Sequence, residues 1–393
     1  MSNTLTFEAI AEDRPGTKWR RRWDWSWPAY EEWFVERGGE NRPSRAECEA
    51  AMRRHMPELA ETYAELSQLA GNGDRAARFL SGWCPPAYLG GCSLAAHACD
   101  GDIRLVRNYD LSPALNEGFL LRSEWRRPVM GMVEFLWGLS DGINEAGLSI
   151  ALSFGGRGTV GRGFGITHIV RYLLETCDTV AEAEAKLARL PSHMAYNLVL
   201  ADASGNASSV ELLPGGGLRR MEQAIATNHQ HGVEAAERPD FTRTEERRAH
   251  IARLIDADTR PSELAGCFLD APLYQRRHDE GFGTLFTASY DPRLRTLKLL
   301  WPGETWRQSL DQFEEGSRTI HYDNGEHELH AEPNGIVSTP ISEGSAYDWI
   351  EFGLSFALQF GRRWTAPASR NCDIADTTTT SIEVAAPQNR THH

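Results

Sequence analysis

A cysteine that follows two glycines and precedes an arginine and an aspartate is the part of this sequence best equipped for chemistry. Cys92 follows Gly90 and Gly91, and Arg107 and Asp110 come 15 and 18 residues later. Two strands joined by a tight turn would bring Arg107 and Asp110 back beside Cys92. A guanidinium near a thiol favours the thiolate, which is the nucleophilic form. Taken alone, however, this stretch favours a plainer interpretation, namely a small buried cysteine beside a structural Arg/Asp pair.

Cleavage between Gly91 and Cys92 would let one residue supply both a nucleophile and a base. A free thiol has a reference pKa of about 8.5 and is mostly protonated at neutral pH. A liberated α-amino group has a pKa of about 8, so it could act as a general base, and Asp110 could hold and orient it. Glycine at position 91 fits the uncut precursor, because a residue without Cβ lets the sulfur approach the preceding carbonyl. The pattern therefore predicts self-cleavage followed by amide-bond chemistry.

The composition is that of a folded protein and argues against two kinds of partner. The chain has 393 residues, of which 41% are hydrophobic and 24% charged, enough for a large core. Its formal net charge of -14 opposes binding to nucleic acid phosphates or to anionic membranes over a broad surface. We therefore expect neither nucleic acid nor membrane as a partner.

No segment predicts export, membrane insertion or a metal centre. Residues 1–16 lack the apolar core of a signal peptide, and no stretch approaches the roughly 20 apolar residues of a membrane span. The seven cysteines are scattered without a C-x-x-C pair. His327 and His330 lie three residues apart and belong to no H-E-x-x-H motif. We expect a cytoplasmic protein with reduced cysteines, without metal or cofactor.

Local patterns predict helices on both sides of short strands. Ser44 with Glu47, and Thr179 with Glu182, form capping boxes that mark helix starts. The predicted helices cover residues 44–69 with a break at Pro57, 74–80, 166–175, a segment that starts at 179, and 242–255. The predicted strands cover residues 92–98, 103–109, 119–124, 129–135, 148–154, 195–201, 208–213, 284–290 and 296–300. Strand pairs separated by helical blocks indicate stacked sheets covered by helices.

Several short segments occur together in an order typical of one enzyme family. They are Gly91-Cys92, Arg107-Asn108-Tyr109-Asp110, Asp141-Gly142-Ile143-Asn144-Glu145-Ala146-Gly147-Leu148, Thr227-Asn228-His229, and Thr284-Leu285-Phe286-Thr287 leading to Tyr290-Asp291-Pro292. Over roughly residues 45–305 this set resembles the penicillin acyltransferase-like (acyl-coenzyme A:6-aminopenicillanic acid acyltransferase) family of self-processing cysteine N-terminal-nucleophile (Ntn) hydrolases. It is also distantly similar to the choloylglycine hydrolases, which share the Cys and R-N-[FY]-D elements.

The resemblance implies an α+β fold, a four-layer αββα sandwich, and cleavage before Cys92. It also implies hydrolysis or transfer of an acyl group held on sulfur. Cys92 would be the nucleophile, Asp110 the partner of its α-amine and thiol, and Arg107 the charged neighbour that tunes the thiolate. Asn228 of the T-N-H segment would donate to the oxyanion, a contribution of about 3 kcal/mol to the transition state.

Three further residues are candidates for contact with the substrate. Arg247, in Thr244-Glu245-Glu246-Arg247, aligns with a family S-x-x-R pattern and could bind a substrate carboxylate or support the site. The alternative for Arg247 is a surface arginine beside glutamates on one helix face. Tyr109 lies within the R-N-Y-D segment. Choloylglycine hydrolases tend to carry Asn where this chain has Ser153, so bile-salt specificity is not expected.

The resulting prediction is an autoproteolytic cysteine amidohydrolase or acyltransferase. It would act on a small N-acyl amide or peptide-like substrate through an acyl-thioester, with acyl-coenzyme A as a further candidate partner. Cleavage would give an α/β heterodimer, with scope for further oligomerisation, from a helical pro-segment (1–91) and a catalytic segment (92–315). Residues 316–393 would form an extension of unassigned role. The alternative is a non-processed ligand-binding or scaffold protein on the same fold.

Overall fold

The computed structural model describes residues 4–88, 90–232, 239–257 and 259–322. The helices of these ranges are α1 Thr17–Glu36, α2 Arg45–His55, α3 Ala60–Leu69, α4 Asp74–Leu80, α5 Ile166–Thr176, α6 Val180–Leu187, α7 Pro239–Thr242, α8 Thr244–Asp256 and α9 Pro261–Cys267. Among them, none is long and apolar enough to cross a membrane.

The strands of the same ranges occur in runs between blocks of helices along the chain. They are β1 Thr4–Glu12, β2 Gly91–Cys99, β3 Asp102–Leu111, β4 Phe119–Ser123, β5 Val129–Glu134, β6 Gly138–Asn144, β7 Ser149–Phe154, β8 Tyr196–Ala201, β9 Ala207–Leu212, β10 Leu218–Arg220, β11 Ile225–Ala226, β12 Arg276–Arg277, β13 Phe282–Asp291, β14 Thr296–Trp301, β15 Glu304–Ser309 and β16 Gly316–His321. Within the described ranges they form a nine-stranded and a seven-stranded sheet. The large sheet runs β10-β9-β8-β7-β6-β5-β4-β1-β16, and the small sheet runs β11-β2-β3-β13-β14-β15, with β12 paired to β13.

Three buried clusters separate four layers. The first cluster lies between helices α1–α6 and the large sheet, the second between the two sheets, and the third between the small sheet and helices α8 and α9. Representative members are Trp19 and Leu139 in the first, Leu94 and Ile143 in the second, and Ile251 and Val106 in the third. In β2 and β3, successive residues enter different clusters, as the period of two requires: Leu94 and Leu105 lie between the sheets, and Ala95 and Val106 face α8 and α9. The predicted α+β, four-layer αββα sandwich is confirmed.

The hairpin of β2 and β3 sets the positions of the first candidate residues. Its antiparallel register places Gly91 opposite Asp110, Cys92 opposite Tyr109, and Leu94 opposite Arg107. Cys92 and Leu94 share the face that packs between the two sheets. Since residues opposite each other in an antiparallel pair lie on the same face, Arg107 is a diagonal neighbour of Cys92. The spacing of Arg107 and Asp110 from Cys92 is therefore that of one tight hairpin.

The N-terminal segment 1–91 contains a strand and is not purely helical as predicted. Strand β1 pairs with β4 in parallel and with β16 in antiparallel orientation, so it lies inside the large sheet. Leu5, Phe7 and Ala9 alternate into the core between the sheets. Strand β16 comes from the segment proposed as an extension, and residues 323–393, with His327 and His330, lie outside the described residues. The large sheet thus joins parts of all three proposed segments.

The helix starts were predicted correctly in two cases and wrongly in a third. Ser44 and Glu47 make the reciprocal bonds of a capping box, and the Thr179 side chain accepts from the Glu182 amide. Helix α8 begins after Arg243. The positive φ of this residue, 49°, interrupts the helical conformation between α7 and α8. Thr242, the predicted cap, is the last residue of α7. The hydroxyl of Thr244, the first residue of α8, instead accepts a hydrogen bond from the backbone N–H of Asn228.

Candidate active site

Cys92 lies at the start of β2 and is fully buried between the two sheets. The Nη2 atom of Arg107 donates to the Sγ of Cys92 over 3.3 Å. Arg107 is itself fully buried and lies over the ring of Tyr109, with 4.2 Å between its Cζ and the ring centroid. The sulfur therefore has a cation beside it, in a position that the hairpin register fixes.

A second group of residues holds Arg107 in place. Its Nη1 atom lies 3.0 Å from Oδ1 of Asp141 and donates to the Ser140 carbonyl over 2.8 Å. The hydroxyl of Tyr290 donates to the other Asp141 oxygen over 3.0 Å. Asp141 and Tyr290 belong to the ordered motif segments, but no role was predicted for them. The signal is a fully buried aspartate beside a buried arginine, and it appears only once β6 and β3 are brought together.

Burial has a larger effect on the thiol than the neighbouring guanidinium has. Desolvation raises the pKa of Cys92 to about 12, while Arg107 lowers it and Asp110 raises it further. The expected influence of Arg107 is thus present, but in the uncut chain the thiol is protonated at neutral pH. A nucleophilic attack by this sulfur therefore requires a base that takes the thiol proton.

Asp110 is the carboxylate nearest in the ladder to the Gly91–Cys92 bond. One of its oxygens, Oδ1, accepts from the hydroxyl of Thr284 over 2.7 Å, and Oδ2 lies 3.5 Å from Nη1 of Arg247. Burial raises the pKa of Asp110, and Arg247 and the Thr284 hydroxyl oppose that rise. A carboxylate with a raised pKa is a stronger base than an exposed one, while these two donors keep its ionised form accessible.

The side chain of Asn228 forms hydrogen bonds to the backbone on both sides of Gly91. Its Oδ1 accepts from the Cys92 amide over 3.1 Å and from Nη2 of Arg247 over 2.7 Å. Its Nδ2 donates to the carbonyls of Gly90 and Phe154 over 3.3 Å and 3.1 Å. Two donors on one side and two acceptors on the other fix the orientation of the side-chain amide. The donor side of Asn228 thus faces the carbonyl one residue before Gly91.

Arg247 is a buried part of this site and not a surface residue. Its side chain is fully buried, and Nη1 donates to the Cys92 carbonyl over 2.7 Å and to the Ser93 hydroxyl over 2.8 Å. The Thr244 hydroxyl at the start of the same helix accepts a hydrogen bond from the backbone N–H of Asn228 over 2.7 Å. Helix α8 therefore holds strand β2 and the T-N-H segment together. The alternative of an exposed arginine with glutamate neighbours is wrong.

Ser153 and His229 support the loop that carries Asn228. The Ser153 hydroxyl donates to the Thr227 carbonyl over 2.8 Å, and the Asn197 amide donates to the same carbonyl over 2.9 Å. Nδ1 of His229 lies 2.9 Å from the Thr244 hydroxyl, and burial lowers the pKa of His229 to about 4. Both side chains hydrogen-bond to the protein around the T-N-H loop.

The structure thus brings all the predicted site residues into one region. The β2–β3 hairpin supplies Gly91, Cys92, Arg107, Tyr109 and Asp110. Three further elements converge on it: β7 with Ser153, the T-N-H loop with Asn228, and helix α8 with Arg247. Within the described ranges, no group of three or more His, Cys, Asp or Glu side chains has an arrangement that could hold a metal ion.

Comparisons with known proteins identify the family. The family model described as acyl-coenzyme A:6-aminopenicillanic acid acyl-transferase matches residues 97–306, which is more than half of the chain. The matched region contains Arg107, Asp110, Asn228 and Arg247, and it begins five residues after Cys92. No curated protein sequence matches the chain significantly.

Several solved structures match parts of the chain at low sequence identity. A mutant of the conjugated bile acid hydrolase from Clostridium perfringens is 14% identical with a TM-score of 0.39, over 59% of this chain and 97% of that one. Penicillin V acylase from Agrobacterium tumefaciens is 13% identical with a TM-score of 0.38, over 61% and 94%. A Caenorhabditis elegans ortholog of the N-acylethanolamine-hydrolyzing acid amidase is 15% identical with a TM-score of 0.38, over 58% and 99%.

The family assignment rests on the match to the family model, on the two-sheet sandwich, and on the ordered motif segments that meet at Cys92. The chain belongs to the acyl-coenzyme A:6-aminopenicillanic acid acyl-transferase family, and it is an enzyme of the N-terminal-nucleophile hydrolase type.

Proposed function

We propose that this chain cleaves itself between Gly91 and Cys92 and then hydrolyses or transfers the acyl group of a small N-acyl amide or peptide-like substrate through an acyl-thioester. The observation that carries the proposal is the arrangement around Cys92. Arg107 contacts its sulfur, Asn228 accepts from its amide, and Arg247 donates to its carbonyl. A cysteine with a purely structural role would not require three buried polar side chains on one residue.

The first reaction is an attack of the Cys92 sulfur on the Gly91 carbonyl carbon. Asp110 takes the thiol proton, the carbon–nitrogen bond between Gly91 and Cys92 breaks, and the proton passes to the departing amine. Water then hydrolyses the thioester, which releases a Gly91 carboxylate and restores the thiol. A Cβ at position 91 would lie 2.3 Å from Cε2 of Phe282 and 3.0 Å from Cβ of Asp110. Glycine therefore lets the scissile carbonyl lie against these residues.

The second reaction uses the amine that the first one liberates. The α-amino group of Cys92 takes the thiol proton, sulfur attacks the substrate carbonyl, and the substrate amine leaves with the proton. Asp110 holds the α-amine, and Arg107 stabilises negative charge on the sulfur. The Nδ2 group of Asn228 is the donor for the oxyanion that forms at the substrate carbonyl.

Hydrolysis and transfer differ only in the molecule that attacks the acyl-thioester. Water gives a carboxylic acid, whereas an amine gives a new amide. Acyl-coenzyme A would load the same sulfur by thioester exchange and would then act as acyl donor. Partition of a loaded acyl group between water and an added amine, measured by product analysis, decides between the two outcomes.

The two products of self-cleavage stay together as an α/β heterodimer in this proposal. Strand β1 of the N-terminal product lies between β4 and β16 of the other product and pairs with both. Helices α1–α4 also bury their apolar faces against the large sheet. Release of residues 1–91 would expose this cluster and leave two strand edges unpaired, which is unfavourable in water.

Substitution of Cys92 by alanine tests the proposal directly. The C92A chain should remain whole under denaturing conditions and should hydrolyse no amide, whereas the wild-type chain should separate into residues 1–91 and 92–393. The matched control is Cys177→Ala, because Cys177 is also a fully buried cysteine without a disulfide, and it lies at the C-terminal end of helix α5 in the first buried cluster. A C92A chain that is still cut, or a wild-type chain that stays whole, would instead support the ligand-binding or scaffold alternative.

A further inference from the structure

Asp110 has the scissile glycine on one side and a threonine on the other. Strand β3 lies between β2 and β13. Asp110 is the register partner of Gly91 in β2 and of Thr284 in β13. The β13 ladder is irregular between Thr284 and Phe286. Such irregularities change the direction of one side chain without interrupting the sheet, and they are common beside active sites.

The hydroxyl proton of Thr284 has only one direction available to it within this network. The backbone N–H of Gln275 donates to Oγ1 of Thr284 over 2.8 Å, so the hydroxyl oxygen acts there as an acceptor. The backbone N–H of Thr284 also donates to the Gln275 carbonyl over 2.8 Å, which holds the two residues together. Because a carboxylate oxygen accepts and a backbone N–H donates, the Thr284 hydroxyl must donate to Oδ1 of Asp110, 2.7 Å away.

We propose that Thr284 is a positioning residue for the reactions at Cys92, because its hydroxyl fixes the Asp110 carboxylate opposite the Gly91–Cys92 bond. The inference rests on the proposed function and extends it to a residue outside the predicted site. Thr284 is fully buried and acts through Asp110, not on the reacting atoms. The other Asp110 oxygen is 3.5 Å from Arg247, so the hydroxyl bond from Thr284 is the shorter of these two contacts.

Burial raises the pKa of Asp110, and the bond from Thr284 is one of the interactions that lower it. A donor to a carboxylate favours its ionised form, so loss of the hydroxyl raises the pKa of Asp110. Other groups act electrostatically on Asp110 as well, and among the described residues they include Arg247 from α8, Arg107 from its own strand, Arg277 from β12, Cys92 from β2, and Tyr274 before β12. A Thr284 substitution leaves all of these side chains in the chain. A change in the acid limb of the rate profile therefore reports on the Thr284 bond.

The experiment follows self-cleavage of chains made by cell-free synthesis and shifted to buffers from about pH 4 to about pH 9. Thr284→Val keeps the shape of the side chain and removes the hydroxyl. We expect cleavage to slow about tenfold or more, and the midpoint of the acid limb to move upward by about one pH unit. Thr284→Ser keeps the hydroxyl and should restore both the rate and the midpoint.

The matched control is Thr287→Val in the same strand. Thr287 is fully buried and donates to Oδ1 of Asn108 over 2.7 Å, so its substitution removes a bond of equal length away from Asp110. This variant should keep the wild-type midpoint. Thr284→Ala removes the hydroxyl without adding a methyl group in its place, so it serves as a second hydroxyl-free chain.

Each remaining outcome counts against the inference or against the proposed function. An unchanged rate and midpoint in Thr284→Val, or equal behaviour of the valine and serine chains, would overturn the role of Thr284. So would a failure of both hydroxyl-free chains to fold while Thr287→Val folds, because Thr284 would then be structural. A wild-type chain that stays uncut, or a C92A chain that is cut, would instead contradict the proposed function itself.

Discussion

Arg107 donates a hydrogen bond to the sulfur of Cys92 over 3.3 Å, and yet burial raises the pKa of that thiol to about 12. The guanidinium is also shared with Asp141, which lies 3.0 Å from its Nη1 atom. Arg107 is therefore better placed to stabilise the thiolate once it forms than to generate it. In the uncut chain the proton must leave the thiol through a base, and Asp110 is the carboxylate in the adjoining strand.

The rate of self-cleavage should consequently be independent of pH between about pH 7 and about pH 9 and should fall at acid pH. Burial raises the pKa of Asp110, so the rate should be lost as the pH falls through this raised value. The measurement is the appearance of the cut chain with time in buffers across this range. A tenfold rise in rate for each pH unit up to pH 9 would instead mean that a thiolate attacks without the help of Asp110.

Removal of the charge of Asp141 should destabilise the fold. Asp141→Asn keeps the size of the side chain but leaves the buried Arg107 without its nearest counter-charge. We expect a loss of about 3–5 kcal/mol in the free energy of unfolding. Urea denaturation checks this value against Asp178→Asn, which breaks the exposed Arg127–Asp178 pair and should cost less than about 1 kcal/mol. Equal losses in the two variants would mean that Arg107 does not depend on Asp141.

Glu134 should make the protein less stable as the pH rises. Burial raises the pKa of Glu134 to about 8, and Arg107 opposes the rise. Because the folded-state pKa is above the unfolded value of about 4.3, this stabilising contribution is complete below about pH 4 and is lost as the pH rises through 8. Glu134→Gln should therefore stabilise the chain at about pH 9 by a few kcal/mol and should change little at about pH 4.

Chemical denaturation at the two pH values measures the effect of Glu134. The matched control is Glu65→Gln, because Glu65 is exposed on helix α3 and its charge should not affect folding. A Glu134→Gln chain whose stability follows the wild-type pH dependence would show that the carboxyl of Glu134 is ionised in the folded protein at neutral pH.

Loss of the Asn228 amide should slow both reactions at Cys92. Asn228→Ala removes the proposed oxyanion donor and the acceptor that holds the Cys92 amide. We expect kcat for amide hydrolysis to fall about 100- to 1000-fold, with a smaller change in KM. Asn206→Ala is the control, because Asn206 is exposed in the turn that follows Asp202. A wild-type kcat in Asn228→Ala would remove this residue from the chemistry.

The sequence predicted the hairpin at Cys92 well because its determinants are local. The alternation of Cys92, Leu94 and Ala96 defines one buried face, and the spacing to Arg107 and Asp110 fits a single tight turn. Asn228 and Arg247 were found through short motif segments, which carry the identity of a residue but not its contacts. Their shared hydrogen bond could be described only from the structure.

Residues that act across distant strands could not be assigned from the sequence. The bond of Tyr290 to Asp141 joins β13 to β6, and the bond of Thr284 to Asp110 joins β13 to β3. Neither contact leaves a pattern in local spacing. The first depends on the packing of the two sheets, and the second lies at an irregularity of the β3–β13 ladder. Strand β1 was missed for another reason, since its buried Leu5 and Phe7 alternate with polar residues in a short stretch of segment 1–91, which was predicted to be helical.

N-terminal sequencing of all polypeptides in the purified wild-type protein shows directly whether Cys92 becomes a chain terminus. We expect two N-termini, one from the start of the chain and one that reads Cys92-Ser93-Leu94-Ala95. A single N-terminus from an intact chain that nevertheless hydrolyses amides, or a second N-terminus at any other residue, would contradict the claim that Cys92 provides both the thiol and the free amine.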